Sequence, residues 1–204
     1  MSNSTIDTAT WLQGTTVYLI GLMGSGKTTV GQALAESLGY RYFDTDQVIE
    51  TAAQQSIAQI FADSGEPVFR QLETDTLQAL APLLRCVIAT GGGIVLKPEN
   101  WGYLRNGVIV WLDVSVEVLH ERLIADTTRP LLQGSELRDR LQTLDQERRS
   151  RYAQADIRIE IAAGDGTEAI VQRIQTAIDT ACQAKAQADD MTQQLNASQP
   201  FELN

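Results

Sequence analysis

Continuous apolar runs recur along the chain, separated by stretches in which apolar residues return every three to four positions. Thr16-Val-Tyr-Leu-Ile20, Cys86-Val-Ile-Ala89 and Val108-Ile-Val-Trp-Leu112 are largely β-branched or aromatic and too short for helices, as strands buried on both faces of a parallel sheet should be. Tyr40-Arg-Tyr-Phe43 and Ile157 to Ile161 complete a set of five. Between the first two, Thr28 to Leu38 carries Val30, Ala33, Leu34 and Leu38 at helical spacing, with Gly39 placed as a C′ glycine. The pattern predicts further helices over Gln47 to Ala53, Ser56 to Ala62, Pro67 to Leu84, Ser115 to Ala125, Glu136 to Tyr152 and Thr167 to Ala181. Strands alternating with helices imply an α/β fold, a parallel sheet covered on both faces.

The same pattern divides the chain into a polar leader over 1–14, one domain over 15–182 and an Ala, Gln and Asn-rich tail over 183–204, read as frayed helix or a disordered end. No apolar run approaches the roughly 18 residues that span a bilayer. The first ten residues lack the basic and apolar regions of a secretory signal. A cytoplasmic protein with no membrane partner is therefore expected. The formal charge of −10 repels nucleic acid over most of the surface, so none is expected as a partner. It also makes each cation informative: only three of the 16 basic residues are lysines, at 27, 97 and 185. Cys86 and Cys182 lack C-x-x-C spacing, and His120 is the single histidine, which excludes a disulfide scaffold and a structural zinc site.

Between the first strand and the first helix stands Gly21-Leu-Met-Gly-Ser-Gly26-Lys27-Thr28, a complete G-x-x-x-x-G-K-[ST] phosphate-binding loop. Its glycines let successive N–H groups curl into one concavity facing the positive end of the helix, a nest for phosphate oxygens. Gly24, Ser25, Gly26, Lys27, Thr28 and Thr29 are thus candidate ATP contacts. Lys27 would reach the β and γ phosphates, and Thr28 would ligate Mg²⁺. A bare glycine turn is the alternative. The chain has no N-K-x-D guanine signature, and its length without repeats argues against a motor, which leaves a small kinase.

Phe43-Asp44-Thr45-Asp46 puts two carboxylates at the C-terminal edge of the sheet, where open α/β folds bind ligands. One could orient and deprotonate a hydroxyl and the other anchor a magnesium water shell, although either could merely cap the next helix. Phe69-Arg70 with Glu73 one turn later could be an ordinary surface ion pair. Thr90-Gly91-Gly92-Gly93 would let a ligand approach the backbone closely. Thr128-Arg129-Pro130-Leu131-Leu132 falls in a polar segment, 126–135, expected to act as a mobile lid. Arg148-Arg149-Ser150-Arg151-Tyr152 is locally cationic.

In order and spacing, these residues resemble the shikimate kinase family, P-loop enzymes of aromatic amino-acid biosynthesis that phosphorylate the 3-hydroxyl of shikimate. The resemblance spans residues 15 to 175, through GLMGSGKTT at 21–29, FDTD at 43–46, FR at 69–70, GGG at 91–93, RPLL at 129–132 and Arg148 four residues before Tyr152. It implies a P-loop three-layer α/β/α fold with strand order 2-3-1-4-5, with ATP and shikimate as substrates and Mg²⁺ as cofactor; a monomer is expected. By the same resemblance, Asp46, Lys27 and Arg129 are catalytic. Asp44 lies near the magnesium shell through water, and Arg122 and Arg129 are on the nucleotide side. Arg70 and Arg148 clamp the substrate carboxylate, helped by Gly91, Gly92 and Gly93.

One stretch departs from the family: the loop after the last strand, which often carries Pro and contributes to the adenine pocket, is here Ala163-Gly-Asp-Gly166. The competing expectations are a gluconate or nucleoside monophosphate kinase and a catalytically dead binding module. A nucleoside monophosphate kinase needs a base pocket and a second phosphate site, whereas the FDTD and GGG pairing suits a hydroxylated carboxylic acid. A dead module has no chemical need to keep Lys27, Thr28, Asp46 and Arg129 together.

Overall fold

The computed structural model describes residue 8 and residues 12–125 and 135–197. Five strands, β1 (Val17–Ile20), β2 (Arg41–Asp44), β3 (Cys86–Ala89), β4 (Val108–Val114) and β5 (Ile157–Ile161), form one parallel sheet in the order 2-3-1-4-5. Val17 aligns with Val87 on one side and Val108 on the other, so β1 lies at the centre. Its four side chains are all buried, which is why its sequence shows no polar alternation.

Seven helices connect and cover the strands among the described residues: α1 (Lys27–Leu38), α2 (Thr45–Ala53), α3 (Ile57–Leu80), α4 (Pro98–Leu104), α5 (Val116–Ala125), α6 (Ser135–Tyr152) and α7 (Thr167–Ala197). Right-handed crossovers fix their faces. The β1-to-β2 step runs leftward along the sheet, and the β3-to-β4 and β4-to-β5 steps run rightward, so α1 lies on one face and α4, α5 and α6 on the other. α7 returns to pack on α1 and β5. The core has residues from both layers, including Leu34, Ile174 and Ile178 from one and Leu104, Leu119 and Leu141 from the other. A separate small cluster, Ile49, Ile60 and Phe69, joins α2 to α3.

Several predicted boundaries move. The helices expected over 56–62 and 67–84 are the two halves of α3, separated at Gly65, whose φ of 79° and ψ of 172° are not helical, and the second half ends at Leu80. Pro67 just beyond the kink has no N–H to lose there. Its N-terminus is held by a capping box in which Ser56 and Gln59 exchange side-chain bonds to backbone N–H groups. The turn Ile94–Leu96 and helix α4 have no counterpart in the sequence reading. The last helix continues from Thr167 past residue 182 to Ala197. Within the leader, Leu12 joins the core, and the Thr8 hydroxyl donates to Asp179 Oδ2 at 3.1 Å. No helix among the described residues is long and apolar enough to cross a membrane.

Candidate active site

The site lies at the C-terminal edge of the sheet, where the chain leaves β1, β2 and β3 in turn. After β1 the phosphate loop curls with Gly24 at φ 78° and Gly26 at φ 91°, left-handed values that side chains rarely tolerate. Lys27 Nζ donates to the Gly21 carbonyl at 2.9 Å, to the Leu22 carbonyl at 2.8 Å and to Ser25 Oγ at 3.3 Å. Its charge therefore sits at the mouth of the loop. The exposed Thr29 follows in the first turn of α1. On α5, Arg122 lies over the loop: a Cβ at Gly26 would be 4.0 Å from its Nη1. Arg122 also adds to the positive field at Asp165. That carboxyl is held below its ordinary range chiefly by the Ala162 N–H and then by Arg173, with Arg122 the smallest contributor.

Strand β2 delivers the two aspartates in different roles. Asp44 is the N-cap of α2, its Oδ1 accepting from the Asp46 N–H at 3.0 Å. Its Oδ2 accepts from the Thr28 hydroxyl at 3.0 Å and from the Tyr42 hydroxyl at 3.3 Å. The helix-cap alternative is therefore realised for Asp44 together with a link to the phosphate loop. Asp46 points elsewhere. A Cβ at Gly91 would lie 2.7 Å from Asp46 Oδ1 and 2.8 Å from Glu73 Oε1, so these two carboxylates close on the first glycine after β3.

The three glycines form the hub. The Gly91 N–H donates to the buried Thr45 hydroxyl at 2.9 Å. A Cβ at Gly93 would fall within the Arg70 guanidinium, which would have to move to admit it. Arg70 donates to Glu73 Oε2 at 2.6 Å and to Glu66 Oε1 at 2.8 Å. The surface ion pair weighed from sequence is thus a buried one, since the Glu73 side chain is 1% exposed and that of Arg70 15%. Burial pushes the Glu73 carboxyl above the ordinary glutamate range, against the pull of Arg70. From α6, Arg148 Nη1 donates to the Gly92 carbonyl at 3.0 Å, and the Tyr152 hydroxyl donates to the same oxygen at 2.7 Å. Gly92 also faces the phosphate loop, where a Cβ would be 3.4 Å from the Gly21 carbonyl.

The fold thus brings together Gly24, Ser25, Gly26, Lys27, Thr28, Asp44, Asp46, Arg70, Gly91, Gly92, Gly93, Arg122 and Arg148. Arg129 and residues 126–134 lie outside the described residues. Four contributors were not among the candidate site residues: Tyr42, Thr45, Glu73 and Tyr152. Only Glu73 and Tyr152 carried a signal, in their spacing from Arg70 and Arg148. An open groove of about 390 Å³ on the outer side of β2, lined by Tyr42, Phe43, Val48 and Thr51 among others, touches Asp44 but includes neither Asp46 nor the arginines. The convergent crevice, and not this groove, has the polar groups that phosphoryl transfer needs.

Known proteins resemble this chain over most of its length. The shikimate kinase of Rippkaea orientalis is 53% identical over 178 residues, covering 87% of this chain and 95% of that protein. That of Synechococcus elongatus is 54% identical over 165 residues, covering 81% and 87%. Among solved structures, a shikimate kinase from Acinetobacter baumannii in complex with shikimate superposes with a TM-score of 0.77 at 35% identity, covering 85% of this chain and 97% of that one. The family model described as shikimate kinase matches residues 23–179, from inside the phosphate loop to α7, and the chain belongs to the shikimate kinase family.

Proposed function

We propose that the crevice transfers the γ-phosphoryl group of ATP to the 3-hydroxyl of shikimate, with each role filled by the residues described above. The observation that carries this reading is the convergence on Gly91–Gly93 of a phosphate loop, an aspartate pair and two arginines. A planar guanidinium meets a carboxylate through two parallel hydrogen bonds, so Arg70 and Arg148 suit the acid group of the substrate. Asp46, on the same wall, takes the proton of the acceptor hydroxyl as its oxygen attacks the γ-phosphorus. The bond from that phosphorus to the β–γ bridging oxygen breaks, and ADP leaves with the electron pair. Lys27 and the loop N–H groups hold the charge that accumulates on the phosphates. Arg122 holds the nucleotide side, and by resemblance Arg129 covers the transferred group.

The Thr28 and Asp44 oxygens, 3.0 Å apart beside the phosphate loop, are hard donors of the kind Mg²⁺ takes alongside phosphates and water. Among the described residues no cluster of three or more acidic, His or Cys side chains competes for a metal. A Mg²⁺ ion held by these two residues would supply charge neutralisation on the transferred phosphoryl group. The reading includes a monomer working in the cytoplasm, checked by light scattering and cell fractionation. ADP release should be measured with shikimate, gluconate and nucleoside monophosphates as acceptors. Turnover with shikimate alone is expected, and preferred turnover of gluconate or a nucleotide would overturn the substrate assignment.

A further inference from the structure

Helix α6 brings two donors to one carbonyl. The proposed substrate contact Arg148 accounts for one, and Tyr152, one turn later on the same face, accounts for the other. The Tyr152 side chain is 1% exposed, and its ring stacks on Trp111 of β4 with centroids 5.9 Å apart. Trp111 is in turn flanked by the guanidinium groups of Arg149 and Arg158, each 5.1 Å from its ring. Both arginines close on Asp113: Arg149 through Nη1 at 3.2 Å and Nη2 at 2.9 Å, Arg158 through Nε at 2.7 Å. A continuous column thus runs from the β4–β5 edge through Trp111 and Tyr152 to the Gly92 carbonyl.

We propose that Tyr152 is a positioning residue for substrate recognition: its hydroxyl fixes the Gly92–Gly93 peptide so that the N–H of Gly93 faces the bound acid group. The peptide is planar and trans, so its C=O and N–H point in opposite directions. With the Gly92 oxygen drawn toward α6 by two donors, the Gly93 N–H faces away from α6. Neither the Gly92 nor the Gly93 N–H donates to any group among the described residues, and the Arg70 guanidinium lies directly against Gly93. A glycine-rich turn has little intrinsic preference for one peptide orientation, so the orientation must be imposed from outside. Burial pushes the Tyr152 phenol up to about 12, which keeps it a donor throughout the working range. Arg148 gives the Gly92 carbonyl one bond through Nη1, and the Tyr152 hydroxyl adds a second that does not depend on where the guanidinium turns toward a ligand.

The inference rests on the reading that Arg148 and the glycine turn receive the substrate carboxylate, and the test separates the two. Shikimate and ATP affinities are measured by calorimetry for the wild type, Tyr152→Phe and Arg148→Lys. The expected result is a five- to twenty-fold loss of shikimate affinity for Tyr152→Phe, with ATP affinity within twofold of wild type. A general loosening would weaken both ligands together. An Arg148→Lys protein that binds shikimate as wild type does would sink the substrate reading itself. A Tyr152→Phe protein that binds shikimate within twofold of wild type, while Arg148→Lys does not, would overturn the role given to Tyr152. A second measurement needs no variant. In glycine-labelled wild-type protein the Gly93 amide proton should shift downfield on adding shikimate without nucleotide, and a Gly93 amide that does not respond would also overturn it.

Discussion

Lys27 donates through its ammonium group to the Gly21 and Leu22 carbonyls and the Ser25 hydroxyl, all within the phosphate loop, so its charge serves the loop more than the sheet core. Lys27→Ala is therefore expected to keep its far-UV spectrum and melting temperature and to lose phosphoryl transfer. A folded mutant that turns over near the wild-type rate would remove the phosphate-loop assignment. Asp46→Asn keeps shape and removes charge. If Asp46 takes the hydroxyl proton, kcat should fall by about 10² to 10⁴ with ATP affinity retained, and unchanged kcat would reduce Asp46 to a neighbour of Glu73. Truncating Arg70 leaves a bound carboxylate short of its partner, at roughly 2 to 5 kcal/mol of shikimate affinity; equal loss for ATP would place Arg70 on the nucleotide side. Glu73 adds a pH signature. Burial delays its ionisation in the fold, so the folded protein keeps a proton that the unfolded chain has already released. Stability should then fall as pH rises from the ordinary glutamate value through the raised one. Urea unfolding across that range should show this slope in the wild type and lose it in Glu73→Gln; the same slope in both proteins would assign it to another group.

At the scale of elements, the turn after β3 works because helices from two directions press on it, α3 with Arg70 and α6 with Arg148 and Tyr152. Gly93→Ala is expected to push the Arg70 guanidinium out of place and raise KM for shikimate while leaving KM for ATP nearly unchanged. Steady-state kinetics with each substrate varied in turn would check this, and an unaltered KM for shikimate would mean that Arg70 can move without consequence. The strands were legible because burial on both faces writes itself as an unbroken apolar run, and the phosphate loop because its glycines are fixed by backbone geometry. The segment 94–104 was not. It is held by Trp101 Nε1 donating to the Val95 carbonyl and Asn100 Nδ2 donating to the Ile94 carbonyl, contacts with no period. The break between the two halves of α3 was legible because Gly65 and Pro67 form a stop signal and Gly65 is indeed non-helical, whereas the small cluster of Ile60 with Phe69 that spans the break was not. Glu73 read as a surface residue because i,i+3 spacing to an arginine is common on exposed helices, and burial by the glycine turn comes from a strand remote in sequence.

Over the whole molecule, the order 2-3-1-4-5 separates the time at which the phosphate loop is made from the time at which it can grip anything. β1 and the loop leave the ribosome before the partners on either side of β1, which begin only at Cys86 and Val108. Until both arrive, β1 has two unpaired edges and nothing to hold the loop's exit angle, and pairing across so much intervening chain is slow. Arg148 and Tyr152 come later still. The nascent enzyme should therefore be blind to nucleotide for most of its synthesis and acquire phosphate binding before acid recognition. Stalled chains of increasing length, probed on immobilised ATP, should be captured only once β4 has emerged. Capture of chains that stop after α2 would show instead that β1, the loop and α1 grip phosphate on their own, as a folding seed that needs no neighbours.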